Sequence, residues 1–551
     1  MNHLGRMLLL GVVIAILGTA TWVCLTWTIG SPEPDLWRRA LGLDSLWLSW
    51  SQAEARSEGP ARLVFRGVYA WLLNQQLPYD SLGWLTLGSA LLAFLLLARW
   101  IHTCIAGRLG PTTRTAILLA LCAAMFSPLF GASWLLVERF RMFVPIACLA
   151  AGGLLLRPGR WQPLRFMAAL LIAQLALLTE VRGHWVWIAL LPCCAAIDNG
   201  PRRTAYLAGW IIAGNAGALA CEFNMGTAAP SEASWIVTAI FAAPWNYLLD
   251  VVATLGRSLP DLLHGTTSDE STIGAAMLLI FVVTSTLAWR RRGVTTAAWS
   301  AMAIFGLGAA LTSAAQTQSL DIDRIARHEL EWSVLALPIG LGGLLAEIGG
   351  DRSRQWLRAL LPAILVLQAQ DWQRGFTDLS WRHCQLRAYE ARLALYGVAG
   401  LEPEKIGPSP FAADFHLKEA QRRRLLAIPE PFDDLHSRLQ AAAAAQPLPT
   451  SGEVLDAYGR TISGSAADLA ALIWIAQDSK DHGWQLLQAT PLQRNDADNL
   501  YSWVVNLDEA SVPADTSRLA AFAFDLDHRD FVRLAGNVQV KNRSFAKEQP
   551  Q

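Results

Sequence analysis

At 551 residues, with 53% hydrophobic and only 16% charged side chains, the chain is too apolar for a single soluble core and long enough for more than one domain. Lys plus Arg and Asp plus Glu balance at 45 each, which excludes a basic nucleic-acid footprint over the whole chain. The apolar residues are unevenly placed: long runs fill residues 7–371, and a charged segment of ordinary soluble composition follows to Gln551.

The first run, Met7 to Ile29, follows a short polar start with Arg6 and has no A-x-A cleavage pattern, so it reads as an uncleaved span rather than a signal peptide. Further runs near the ~20 residues needed to cross a bilayer follow at 81–101, 115–133, 142–156, 166–181, 185–197, 205–222, 273–289, 296–315, 332–349 and 356–371. Arginines sort to alternate loops: Arg99, Arg108 and Arg114, then Arg157, Arg160 and Arg165, then Arg202 and Arg203, then Arg290 to Arg292, then Arg352, Arg354 and Arg358. Positive loops are cytoplasmic, so the N-terminus is inside and the loop 30–80 outside.

A crossing by Trp235 to Leu255 would put Arg290 to Arg292 outside. Residues 234–264, which carry Pro244, Pro260, Asn246, Asp250 and Arg257, therefore read as a re-entrant or interfacial hairpin. Eleven spans then leave the C-terminus outside.

Beyond residue 371, Trp372 to Gly397 has the spacing of an amphipathic helix at the membrane surface, and a second helix is expected over Pro410 to Leu426. Ala441 to Ala445 with Pro447 and Pro449 reads as a linker. Alternating apolar segments follow at Leu472–Ala476, Trp484–Leu487, Trp503–Leu507, Leu519–Phe524 and Phe531–Val540, the pattern of a small antiparallel β-sandwich whose aromatics form its core or a glycan-stacking face.

The expected fold is thus mainly α. A polytopic helix bundle of about eleven spans occupies 1–371, a juxtamembrane helical segment 372–440, and an extracytoplasmic β-sandwich 441–551. Seven of the eight cysteines lie in or beside apolar runs and read as packing residues, with no disulfide framework.

No phosphate-binding G-x-x-x-x-G-K-[ST] occurs, and His328-Glu329 lacks the second histidine of a zinc-binding helix. The chemistry-bearing residues instead sit at the outer ends of spans. Glu33 and Asp35, between Pro32 and Pro34, could deprotonate a hydroxyl or hold a divalent cation such as Mg or Mn, and could equally be a solvated loop start; Glu54 lies in the same loop. Asp321, Asp323, Arg324, Arg327, His328, Glu329 and Glu331 form a second cluster, whose arginines suit a lipid-linked phosphate or a solvated rim. Glu138, Arg139 and Arg141, with Glu180, Arg182 and His184, are further outer-face residues that structural ion pairs would also explain.

Three stretches are similar to an uncharacterised bacterial family of polytopic proteins related to the GT-C class of membrane glycosyltransferases. They are Met125-Phe126-Ser127-Pro128 with Trp134, then Ala243-Pro244, then Ala310-Leu311-Thr312-Ser313-Ala314 followed by Arg327-His328 and Trp332-Ser333-Val334-Leu335. The resemblance covers most of residues 1–430.

It implies transfer of a sugar from a polyprenyl-phosphate donor to a cell-envelope glycan or protein, at the outer face of a bacterial cytoplasmic (inner) membrane. Asp35 or Glu33 would act as base, Arg324, Arg327 and His328 would bind the phosphate, and Glu54 and Arg139 would bind substrate. The chain departs from the family at Gln52-Ala53-Glu54-Ala55-Arg56, where that family carries His-Asn-Glu-His-Arg. It departs also at His328, in place of tyrosine, and at Leu129-Phe130-Gly131-Ala132. The alternative reading is a non-catalytic membrane subunit of a polysaccharide assembly or export complex. No nucleic-acid partner is expected, and no cofactor beyond that cation.

Overall fold

The computed structural model describes residues 3–26, 83–106, 109–128, 134, 137–158, 162–180, 182–197, 202–224, 236, 240–257, 267–289, 293–320, 332–396, 435–447, 452–459, 461–466, 472–479, 483–490, 492–494, 501–506, 518–525, 530–541 and 544–547. The chain divides into two compact units. The first contains residues 1–28 and 42–379, the second residues 29–41 and 380–551.

In the first unit the described parts of the eleven apolar segments are mainly helical. The helices are α1 (His3–Thr26), α2 (Gly83–Ile105), α3 (Pro111–Met125), α4 (Val144–Leu155), α5 (Gln162–Leu177), α6 (Gly183–Ala189), α7 (Leu191–Ala195), α8 (Arg202–Asn224), α9 (Pro244–Arg257), α10 (Thr267–Trp289), α11 (Val294–Leu320), α12 (Ala336–Ile348) and α13 (Gly350–Tyr396). Short 3-10 helices, Val137–Phe143 and Trp332–Leu335, lead into α4 and α12.

Among the described residues three helices, over 83–105, 270–288 and 294–315, are long and apolar enough to cross a membrane, and six other apolar helices have 10–17 residues. The expectation of about eleven full spans is therefore corrected. The sequence explains the shortening, since Pro145, Pro192 and Pro244 each stand at the first helical turn, where the missing N–H costs nothing, and so restart helices inside apolar runs.

The long helices show why the segments read as membrane-like. On α2, Leu87, Ala90, Phe94, Leu97, Ile101 and Cys104 are buried at helical spacing, while Leu92 and Leu95 on the opposite side are exposed. The described α9 has 14 residues, a length of about 21 Å, shorter than a hydrocarbon core of about 30 Å. It packs closely along α10, because a Cβ on Gly274 would overlap the carbonyl of Val252. Six cysteines, Cys24, Cys104, Cys122, Cys148, Cys193 and Cys194, are buried thiols.

Two local expectations change. The span 356–371 and the amphipathic segment after it are one 47-residue helix, α13, with Pro362 inside it. The alanines at 441–444 are not a linker but the end of helix α14 (Leu435–Ala444), as fits alanine's helix propensity. The helix expected over 410–426 lies outside the described residues.

The second unit contains a nine-stranded sheet: β1 (Gly452–Gly459), β2 (Thr461–Ala466), β3 (Leu472–Ser479), β4 (Gly483–Thr490), β5 (Gln493–Arg494), β6 (Tyr501–Asn506), β7 (Arg518–Asp525), β8 (Asp530–Lys541) and β9 (Ser544–Lys547). Its order is β4-β3-β7-β8-β9-β1-β2-β6-β5, antiparallel but for one parallel bridge between Glu453 and Ala535. This is one curled sheet, which corrects the expected sandwich of two.

The ends of the sheet approach each other: Thr490 Oγ1 of β4 donates to the carbonyl of Val504 in β6 at 3.0 Å. Bulges at Val454/Asp456, Ile475/Ala476 and Ala520/Phe522 add the bend that a curled sheet needs.

Strand β7 shows how residues sort between the two faces. Leu519, Ala521 and Ala523 point into the curl with Ile473, Ile475, Trp503 and Leu534. Ala520, Phe522 and Phe524 point outward, with Trp474 and Phe531, onto Ala388 and Ala391 of α13 and Leu439, Ala442 and Ala443 of α14. Both faces of β7 are covered, so its sequence is continuously apolar where a half-exposed strand would alternate. Of the aromatics expected in the core or on an exposed face, Trp474, Trp503, Phe522 and Phe524 are core, and Trp484 is partly buried against Phe522.

Candidate functional site: a buried ion cluster in the helical unit

The corner between α5 and α6 begins with a tight turn. The N–H groups of Thr179 and Glu180 both bond the carbonyl of Ala176, and that of Gly183 bonds the carbonyl of Glu180. A Cβ on Gly183 would overlap the Ala176 carbonyl, so only glycine lets α6 start there. The turn sets Glu180 and Arg182 two residues apart, both buried, with the Arg182 side chain fully enclosed.

Glu180 takes two cations. Arg182 Nη1 lies 3.7 Å from one carboxylate oxygen and Arg141 Nε, from the Val137–Phe143 helix, 3.6 Å from the other. At low local dielectric such an arrangement survives only with close partners. Arg182 Nη2 adds a hydrogen bond to Ser313 Oγ of α11 at 3.2 Å. Beside it, the Trp185 indole donates to Thr312 Oγ1 at 2.9 Å, and Thr312 donates to the carbonyl of Gly308. The Tyr247 hydroxyl donates to the carbonyl of Leu311 at 3.0 Å.

The segment after α3 is held nearby through the same 3-10 helix. Trp134 stacks between Phe126 and Phe143, with centroids 5.6 and 5.4 Å apart, and its indole donates to the carbonyl of Ser127. The Trp332–Leu335 helix rests against α3, α11 and the Val137–Phe143 helix. Within it Ser333 is buried, and its hydroxyl has no hydrogen-bond partner among the described residues. From α13, Gln368 and Trp372 donate to the carbonyls of Ala120 and Ala123 near the end of α3, and Asp371 between them is buried. The F-S-P turn, the A-L-T-S-A stretch and the W-S-V-L return are thus linked through one set of packed side chains.

Glu33, Asp35 and Glu54 lie outside the described residues, as do Arg324, Arg327 and His328, which fall between Leu320 of α11 and Trp332. Arg139 belongs to the Val137–Phe143 helix, with its side chain outside the described set. Arg141, Glu180 and Arg182, which the sequence marks as outer-face charges that structural ion pairs would explain, are brought together as such pairs. Asp371 carried no sequence signal beyond a polar residue in an apolar run, whereas Ser333 belongs to the Trp332-Ser333-Val334-Leu335 stretch of the resemblance. Among the described residues no group of three or more His, Cys, Asp or Glu is placed to hold a metal ion.

No protein-family model, curated protein or solved structure matches the chain.

Proposed function

We propose that the chain is an integral-membrane glycosyltransferase of GT-C type, moving a sugar from a polyprenyl-phosphate donor to a cell-envelope glycan or protein at the outer face of a bacterial cytoplasmic membrane. The N-terminus lies inside and the sheet unit outside. The short apolar helices are broken or half-crossing elements, which a bilayer tolerates where protein surrounds them. The observation that supports this reading is the packing of the F-S-P, A-L-T-S-A and W-S-V-L stretches on the elements that carry Arg141 and Arg182. Arg182 and Glu180 form the anchor. They fix the end of α11 from which the Arg324, Arg327 and His328 segment departs.

In the proposed step, the acceptor oxygen attacks the anomeric carbon from one side while the bond to the donor phosphate breaks on the other, inverting that carbon. The acceptor proton passes to the Asp35 carboxylate, with Glu33 beside it. The bonding pair leaves on the phosphate oxygen, where Arg327, with Arg324 and His328, stabilises the growing charge. Glu54 and Arg139 contact the sugar or acceptor. A divalent cation at Glu33 and Asp35 would serve the same charge balance.

The departures at 52–56 and His328 favour the second reading, a non-catalytic subunit of a polysaccharide assembly or export complex. Cells carrying Asp35→Ala or Arg327→Ala distinguish the two. Asp35→Ala should lower glycan transfer about 100- to 10,000-fold through loss of the base, and Arg327→Ala about 10- to 100-fold through loss of a charge-assisted hydrogen bond, at unchanged protein abundance. Full transfer by both variants would sink the catalytic assignment.

A further inference from the structure

Within the first unit, helix α13 turns one face inward. Leu365, Gln368, Asp371, Trp372 and Leu379 are buried or half-buried at helical spacing, while Gln370, Gln373 and Arg374 are exposed. Asp371 is the anomaly on that inward face, a carboxylate only 5% exposed where packing calls for an apolar side chain.

The face is fastened to α3 on either side of that carboxylate. Gln368 Nε2 donates to the carbonyl of Ala120 at 3.1 Å, and Trp372 Nε1 donates to the carbonyl of Ala123 at 2.8 Å. The Gln368 amide is therefore oriented, and its Oε1 is buried with no hydrogen-bond partner among the described residues. Gln368 stands one helical turn from Asp371, which puts their Cβ atoms about 5–6 Å apart on the same face. Trp372 meets Phe376 edge to face with ring centroids 5.8 Å apart, and both rings are half-buried.

An ionised carboxylate accepts about four hydrogen bonds and an amide oxygen about two, so this patch is rich in acceptors and takes a partner that donates. A divalent ion fits poorly, because one carboxylate and one amide oxygen fall well short of the ~6 oxygen ligands it takes. The aromatic pair beside the acceptors asks instead for an apolar surface. A ring that carries several O–H donors and an apolar C–H face meets both demands, and that is the chemistry of a sugar. We propose that Gln368, Asp371 and the Trp372–Phe376 pair form a subsite for a pyranose ring, whose hydroxyls donate to the Asp371 carboxylate and the Gln368 side-chain carbonyl while its C–H face lies on the aromatic pair. The inference rests on the glycosyltransferase reading only for the source of the sugar, since a lipid-linked donor and an acceptor glycan present the same chemistry.

The test titrates the full chain in nanodiscs with the methyl glycosides of glucose, galactose, mannose and N-acetylglucosamine, and follows saturation transfer to each by NMR. The wild type should bind at least one of them. Asp371→Asn keeps the shape and loses the charge, and should weaken that binding about tenfold, the difference between a charged and a neutral hydrogen bond. Trp372→Phe and Trp372→Leu both lose the bond to Ala123, so a purely structural role would affect them alike. Trp372→Phe, which keeps a ring, should bind within about threefold of wild type, and Trp372→Leu about tenfold more weakly. Displacement of the glycoside by the same sugar on polyprenyl phosphate would assign the subsite to the donor, and undisturbed binding to the acceptor. Retention of polyprenyl phosphate by Asp371→Asn should match the wild type, which separates loss of this subsite from failure of the enzyme reading. Absence of transfer to all four glycosides would overturn the inference. So would equal binding by wild type and Asp371→Asn, or equal loss in Trp372→Phe and Trp372→Leu.

Discussion

Replacing Glu180 by alanine should cost the helical unit about 3–5 kcal/mol, because it strands two arginines, one of them fully enclosed, without the carboxylate that offsets their desolvation. The same logic predicts partial rescue. Joint replacement of Glu180 by leucine with Arg141 and Arg182 by methionine removes the charges together and leaves apolar side chains of similar length, so it should cost much less than Glu180→Ala. Both variants can be compared with the wild type by unfolding the purified full chain in mixed detergent. A Glu180→Ala protein within about 0.5 kcal/mol of wild type would show that the cluster is a solvated surface network instead.

The second large effect is expected in the sheet. Trp503→Ala should cost about 3–5 kcal/mol, since Trp503 is fully buried among Ile462, Ile473 and Val505, and its indole donates to the carbonyl of Ser465. Hydrogen exchange of the 518–525 peptide in the full chain reads this locally, because β7 lies within the same curl. Tyr458→Ala, at a residue 83% exposed, should change that protection by less than about 0.5 kcal/mol. Equal protection in both variants would mean that the Trp503 side of the sheet is not the core of this unit.

How much of this was legible in the sequence depends on the range of the signal. Helices and strands were readable because periodicity is local: the five expected strands correspond to β3, β4, β6, β7 and β8, although β1, β2, β5 and β9 were not singled out. Helix length was harder to read. Apolar composition continues across Pro145 and Pro192, where the backbone restarts, so composition alone overcounted full spans.

Two sheets were expected because short alternating apolar segments at that spacing suggest a sandwich, in which a second sheet covers the first. The second cover is instead helical, supplied by Ala388, Ala391, Ala442 and Ala443, and the alanines at 441–444 looked like a linker only because their partner face is formed by residues 30 to 90 positions later. The ion cluster was the least legible. Arg141, Glu180, Arg182 and Ser313 meet only in the folded chain, and no local pattern records that Glu180 lies beside Arg141.

The most direct test of the central claim is retention of polyprenyl phosphate by the purified full chain in nanodiscs, measured by native mass spectrometry against the uncharged polyprenol. The account predicts that the wild type holds the phosphate and not the alcohol, and that Arg327→Gln weakens retention about tenfold through loss of one bidentate arginine–phosphate pair. Equal retention of the phosphate and the alcohol, or of the phosphate by wild type and Arg327→Gln, would contradict it.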